Sequence, residues 1–175
     1  FRRVLFRSWL ALLGLIVRLC QQQFHIPFPI SLFAAYWVTR AAKAWAPVDH
    51  DLAAAQSCYQ QFYRIARRHS GLGFDPAVVG ALELEYNDVH RRLVGNPDKA
   101  AFIETMTRLH SAMFGISLAA ARESAELRVA ANTTVDGITN GWSQDVEGDW
   151  ALLEDQLRMC YRSVQRALDA RTGEA

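Results

Sequence analysis

The stretch beginning at Glu83 is the most polar part of the chain that also has helical periodicity. At about 100° per residue, Glu83, Asn87 and His90 share one flank of a helix. A carboxylate, an amide and an imidazole so placed could bind a cation or orient a general base, because histidine titrates near neutrality. The alternative is a boundary face with an Asp88–Arg92 ion pair and His90 hydrogen-bonded to a neighbouring helix. Ion pairs between residues four apart are common on helix surfaces, which favours this alternative.

Five side chains are candidate metal ligands between two helices: Glu83, Glu85, His90, Glu104 and His110. A di-iron carboxylate centre needs a Glu-x-x-His pair on each of two helices. Glu85 lies five residues before His90 and Glu104 six before His110, so this motif is absent. A mononuclear site across the two helices stays open as an alternative, and a hydrogen-bonded core histidine is the simpler interpretation of His110. We expect no metal and no other cofactor.

Other motifs give no catalytic assignment. Residues 145–149 alternate acids like the start of a calcium loop, but the twelfth position is Gln156 instead of glutamate. A simpler explanation of these acidic residues is that they lie close to the start of a helix, where the helix dipole favours negative charge. The sequence has no Gly-x-Ser-x-Gly setting and no glycine-rich phosphate loop. Cys20, Cys58 and Cys160 are too far apart for a zinc knuckle and indicate buried thiols in a reducing compartment.

Helical periodicity runs through nearly the whole chain. Apolar residues recur at three- and four-residue spacing, and no segment has the pattern of a strand. We therefore predict an all-α, single-domain bundle of six or seven mostly antiparallel helices. The expected boundary signals are an Asp49 cap with Gly71 at the end, Asp75-Pro76 with Gly95, Asn96-Pro97 with Gly115, a Ser117 cap, and a last helix over residues 149–170.

The amino end differs in character from the rest of the 175-residue chain. Residues 1–8 resemble the translation of a sequencing-library adapter and are expected to be a scar without structural meaning. Residues 9–29 are expected to be an apolar helix, truncated upstream, and a proline linker. The nine apolar residues Trp9–Val17 would span about 14 Å, whereas a membrane crossing needs about 20 residues. The bundle is predicted over residues 30–171, with a tail at 172–175.

The helix expected at Ile30–Trp45 has only two charged residues, Arg40 and Lys43. Apolar side chains nearly encircle it, which predicts burial on several sides. Residues 9–48 contain three basic and no acidic side chains, whereas residues 75–175 contain ten basic and sixteen acidic ones. The net charge is +1, or −2 without the three arginines of residues 1–8. This balance argues against nucleic acid as a partner.

Several short stretches carry a resemblance to a protein group. They are GFDP at 73–76, LELEY at 82–86, VHR at 89–91 and LHSAMFG at 109–115. In these stretches the chain resembles uncharacterised small all-helical proteins of GC-rich actinobacteria. The resemblance implies a helical fold and supplies no activity.

The functional hypothesis is a cytoplasmic, non-catalytic helical domain. It would act by associating with a second copy, a protein partner or a membrane surface through the apolar residues Trp9–Val17. The alternative is an enzyme or sensor that binds a metal or small ligand between the helices carrying His90 and His110. In either case we expect no nucleic-acid partner.

Overall fold

The computed structural model describes residues 13, 14, 16–46 and 49–173, and these residues form seven helices without a strand. The all-α class and the number of helices predicted from the sequence are confirmed. Helix α1 is described at residues 13, 14 and 16–24. The others are α2 (Ile30–Trp45), α3 (Leu52–Ser70), α4 (Pro76–Leu93), α5 (Ala100–Phe114), α6 (Leu118–Thr139) and α7 (Val146–Gly173). None of the helices within the described ranges is long and apolar enough to cross a membrane.

At several helix ends and starts, glycine and capping side chains lie where the sequence predicted. Gly71 and Gly115 follow α3 and α5 in the left-handed conformation, which glycine adopts without steric cost. The Asp75 carboxylate accepts a hydrogen bond from the backbone N–H of Ala77 at the start of α4. Ser117 caps α6 by accepting from the N–H of Ala120.

Three predicted helix starts were wrong by two or three residues. Asp51, not Asp49, caps α3, because its carboxylate accepts from the N–H of Ala54. Asn96 does not start α5: its side-chain oxygen accepts from the N–H of Asp98, which makes a turn, and the helix begins at Ala100. The last helix begins at Val146 instead of residue 149.

The chain divides into two compact units, and the division falls between Leu84 and Glu85, within α4. In the first unit, α2 packs on α3. Gly80 of α4 lies against α3, where an added Cβ would come within 3.1 Å of the Gln60 backbone nitrogen. The buried apolar core of this unit consists of Cys20, Ile26, Ala34, Ala35, Ala41, Ala55, Cys58, Tyr59, Phe62, Tyr63, Ala66, Phe74 and Val79.

The second unit contains the end of α4 and helices α5, α6 and α7. Side-chain bonds fix helix directions: Glu123 of α6 bonds Ser163, and Thr134 bonds Gln156. Because later residues of α6 meet earlier residues of α7, these helices are antiparallel. The core consists of Tyr86, Val89, Phe102, Met106, Leu109, Met113, Ile116, Ala121, Ala125, Val129, Ala131, Leu153, Cys160 and Val164.

Parts of the sequence predictions fall outside the described residues. These are the adapter-like residues 1–8, residues 9–12 and 15 of the apolar segment Trp9–Val17, and the last two residues of the tail. The chain between α1 and α2 leaves the helical conformation at residues 25–29, where the sequence predicts the proline linker.

Candidate functional site

Helix α2 has an inverted relation between side-chain size and burial. Its buried residues are all small: Ser31, Ala34, Ala35 and Ala41. In contrast, Phe33 is 63% exposed. Small side chains let α2 approach the rest of its unit closely, and its bulky side chains are left on the outer side. The prediction that this helix is buried on several sides was therefore wrong.

The outer side of α2 carries three aromatic rings and one cation at helical spacing. Phe33, Tyr36, Trp37 and Arg40 occupy positions i, i+3, i+4 and i+7, which lie on one side of a helix. We call these four residues the aromatic face. Tyr36 is 48% exposed and Trp37 is partly buried. Further exposed apolar side chains precede or interleave with the face in sequence: Leu19, Phe28, Ile30 and Leu32.

Arg40 is held by the aromatic rings of its own helix. Its Nη1 donates a hydrogen bond of 3.2 Å to the Tyr36 hydroxyl. Its guanidinium carbon lies 5.8 Å from the Tyr36 ring centroid and 5.9 Å from that of Trp37, within cation–π range. The two rings contact each other edge-on at 5.2 Å. The bond to Tyr36 raises the pKa of Arg40. Like other arginines, this side chain is positively charged at neutral pH.

The charged side chains that neighbour the aromatic face in sequence are all basic. The only Lys or Arg side chains in residues 9–48 are Arg18, Arg40 and Lys43, and the first acidic residue of the chain is Asp49. All three cations are exposed. This part of the first unit therefore combines exposed aromatic surface with exposed basic side chains.

The five candidate metal ligands make separate contacts. Glu83 accepts a 3.0 Å hydrogen bond from Tyr63, and Glu85 pairs with Arg108. Glu104 is exposed. His90 and His110, discussed next, bond to different residues of α6. Across residues 13, 14, 16–46 and 49–173, no group of three or more His, Cys, Asp or Glu side chains could hold a metal ion.

His90 belongs to a polar cluster formed by α4, α5 and α6. Its Nε2 lies 2.9 and 3.1 Å from the two carboxylate oxygens of Asp136. The imidazole stacks on Phe102, with ring centroids 4.8 Å apart and planes 9° from parallel. Tyr86, one turn earlier, stacks on the same ring and accepts a hydrogen bond from Asn132. We call these five residues the polar cluster.

The polar cluster links α4 and α6 in register. Tyr86 and His90 are four residues apart on α4, and their partners Asn132 and Asp136 are four apart on α6. Equal spacing in the same order shows that the two helices run parallel at this point. Because Nε2–H donates to Asp136, the carboxylate fixes the orientation of the imidazole. The favoured interpretation of His90, a hydrogen bond to a neighbouring helix, matches this geometry.

His110 is buried in the second unit, with its Nδ1 2.8 Å from the Ser124 hydroxyl. Since that hydroxyl donates to the Ala121 carbonyl, it accepts from Nδ1–H, which assigns the imidazole tautomer. Burial, with a smaller effect of the Arg128 charge, lowers the pKa of His110 to about 4. The buried imidazole is thus neutral at pH 7.

Sequence reasoning missed the α6 partners Asn132, Asp136 and Ser124. One signal was available: a polar pair four residues apart on α6 matches the Tyr86 and His90 pair on α4. Sequence reasoning also missed the exposure of the aromatic face. Alanine and serine at positions 31, 34, 35 and 41 form a small-residue stripe that could have indicated which side of α2 packs inward.

No protein-family model matches the chain, and neither the curated proteins nor the solved structures contain a match.

Proposed function

We propose that this chain is a cytoplasmic, non-catalytic helical protein that binds peripherally to a membrane surface through the aromatic face of α2. The observation that carries the proposal is the inverted packing of this helix, which buries four small residues and leaves Phe33 63% exposed. Exposing rings while burying alanines loses hydrophobic stabilisation unless another surface covers the rings.

The composition of the face supports a membrane surface as its partner. Tyrosine and tryptophan are enriched where a bilayer meets water, because one end of each ring is apolar and the other can be hydrated. Phe33 supplies a purely apolar ring, and Arg40 at the end of the same row carries its charge on a long stem. An amphipathic helix of this kind lies in the plane of the interface without crossing the bilayer.

Vesicle flotation of paired variants tests the proposal. Phe33→Ser removes an exposed ring from the face, and Leu118→Ser removes a similarly exposed apolar side chain, at 56%, from the first turn of α6. We expect Phe33→Ser to weaken binding to phosphatidylglycerol-containing vesicles about tenfold, because an apolar side chain is withdrawn from the lipid. Leu118→Ser should bind like the parent protein.

Three results would contradict the proposal. The first is that the parent protein does not float with vesicles. The second is that the two serine variants lose binding equally. In the third, sedimentation shows a stable dimer that Phe33→Ser dissociates, which would assign the face to a second copy of the chain. Circular dichroism of both variants checks that the helices are retained.

A further inference from the structure

We infer that Arg40 binds the lipid phosphate, so that the aromatic face selects anionic phospholipids over neutral ones. This inference rests on the proposed membrane function and specifies the chemistry of the partner. It follows from three features of Arg40: the way it is held, the donors it has left, and the apolar side chains around it.

The first feature is that Arg40 is oriented without a carboxylate. Arg92, Arg108, Arg122, Arg158 and Arg166 each form an ion pair with an aspartate or glutamate. Arg40 instead contacts the hydroxyl and ring of Tyr36 and the ring of Trp37. Neutral rings orient the guanidinium but do not cancel its charge. An anion that approaches Arg40 therefore meets a full positive charge.

The second feature is the number of donors left on the guanidinium. Arginine carries five N–H donors in a planar fork that matches the oxygens of a phosphate. One of them bonds the Tyr36 hydroxyl. No carboxylate within the described part of the chain forms an ion pair with Arg40. Because the side chain is already held by Tyr36 and Trp37, binding a phosphate costs less conformational entropy than for a free arginine.

The third feature identifies the source of the phosphate as a lipid headgroup. A soluble phosphate bound at Arg40 would leave the Phe33 ring, about two helical turns earlier in the same row, in water. A phospholipid supplies the phosphate to Arg40 and acyl chains to Phe33 together, which suits a row that is apolar at one end and cationic at the other. In a neutral phosphatidylcholine headgroup the choline cation offsets the phosphate. An anionic phosphatidylglycerol headgroup has no such cation, so Arg40 favours it.

The experiment measures partition of the full chain onto phosphatidylglycerol and phosphatidylcholine vesicles. Arg40→Gln removes the guanidinium, Arg40→Lys keeps the charge without the fork, and Tyr36→Phe removes the bond that orients Arg40. Arg67→Gln, at an exposed position of α3, is the control for net charge. We expect Arg40→Gln to lose about fivefold in affinity for phosphatidylglycerol vesicles, as one basic residue does at an anionic surface. Arg40→Lys and Tyr36→Phe should lose less than this, and Arg67→Gln should bind like the parent protein.

The outcomes separate this inference from the proposed function. If Arg40→Gln binds like the parent while Phe33→Ser loses binding, or if the parent binds both vesicle types equally, the lipid selection is refuted and the membrane function stands. Equal losses in Arg40→Gln and Arg67→Gln would show a net-charge effect and also refute the inference. If inorganic phosphate displaces the parent protein from vesicles more strongly than chloride of equal ionic strength, Arg40 binds free phosphate and the lipid-headgroup assignment is refuted. If the parent binds neither vesicle, both proposals fail.

Discussion

The aromatic face of α2 and the polar cluster of α4, α5 and α6 use similar side chains in opposite ways. In the polar cluster the rings are packed inside: Phe102 is fully buried, and the rings of Tyr86 and His90 both stack on it with their centroids 6.2 Å apart. On the aromatic face, the Phe33 side chain is 63% exposed. The Tyr36 hydroxyl accepts a hydrogen bond from Arg40, which lies one turn later on the same helix. Rings that contribute to folding are thus distinguished by their burial and by partners on other helices from the exposed rings that we propose contact a membrane surface.

The two regions also differ in how they treat charge. Asp136 of the polar cluster is buried and bonded to His90, so its charge is used within the fold. Arg40 of the aromatic face is exposed and bonded to a neutral hydroxyl. A polar group satisfied inside the fold has little capacity left for a ligand, whereas an oriented, unpaired guanidinium retains it. For this reason we propose a ligand at Arg40 and none at Asp136.

The largest expected difference between the regions concerns one phenylalanine from each. Phe102→Ala should lower the free energy of unfolding by about 3–5 kcal/mol, because it opens a cavity under two stacked rings. Phe33→Ala should change it by no more than about 0.5 kcal/mol, because the ring is already in water. Urea unfolding followed by circular dichroism measures both. Equal losses would show that Phe33 belongs to the core and that the two regions do not differ in this respect.

The pH dependence of the free energy of unfolding tests how completely water is excluded from His110 in the second unit. In the unfolded chain His110 titrates near its ordinary pKa of 6.5, whereas in the fold its pKa is about 4. Between these values the unfolded state binds the extra proton, so acid favours unfolding. Stability should fall as the pH drops from 6.5 to 4, by about 3 kcal/mol in total from this residue.

His110→Asn is the matched variant for this prediction, since its amide can still donate to Ser124 but does not titrate. The difference in unfolding free energy between the parent and this variant should therefore change with pH across that window. Parallel curves would mean that His110 is hydrated in the fold.

A double-mutant cycle measures the link between His90 and Asp136. Replacing both by alanine, singly and together, should give a coupling of about 1–2 kcal/mol, as expected for partners in a half-buried polar contact. The exposed pair of Asp88 and Arg92 on the same helix is the control, and its coupling should stay below about 0.5 kcal/mol. Equal couplings would place His90 and Asp136 in a solvated environment.

The smallest expected effect concerns two glycines of the second unit. Gly115 has a φ of +65°, and an added Cβ would lie 2.8 Å from Nη1 of Arg171, which donates to the Gly115 carbonyl. Gly115→Ala should cost about 1 kcal/mol of stability. Gly137 lies inside α6 with no atom within 4 Å of an added Cβ. Gly137→Ala should stabilise by about 0.5–1 kcal/mol, because alanine favours a helix. Thermal unfolding measures both changes in stability. Changes of opposite sign for the two variants would confirm the local geometry, and changes of the same sign would contradict it.

The sequence predicted the helices better than their surroundings. Gly71, Gly115 and Ser117 mark helix ends because glycine conformation and capping bonds are local properties. The start of α5 was misplaced because Asn96 and Asp98 both bond nearby backbone and either could cap a helix. Local patterns leave the choice between such competing caps open.

The candidate sites depended on contacts between distant residues, which periodicity does not specify. Asp136 is 46 residues from His90, so the sequence indicated a partner for the histidine without indicating which one. The exposed side of α2 was missed for a different reason. A helix rich in apolar residues has no obvious polar side. Its small residues Ser31, Ala34, Ala35 and Ala41 are what indicates which side packs inward.

The most direct test of the account is a polarity-sensitive fluorophore on the aromatic face. An NBD group attached at Phe33→Cys can be compared with the same group at Leu118→Cys, since the native cysteines Cys20, Cys58 and Cys160 are buried. On addition of phosphatidylglycerol vesicles, we expect the emission at position 33 to shift to the blue and brighten, and that at position 118 to stay unchanged. An unchanged spectrum at position 33, with vesicles in excess, would contradict the claim that the aromatic face enters a membrane surface.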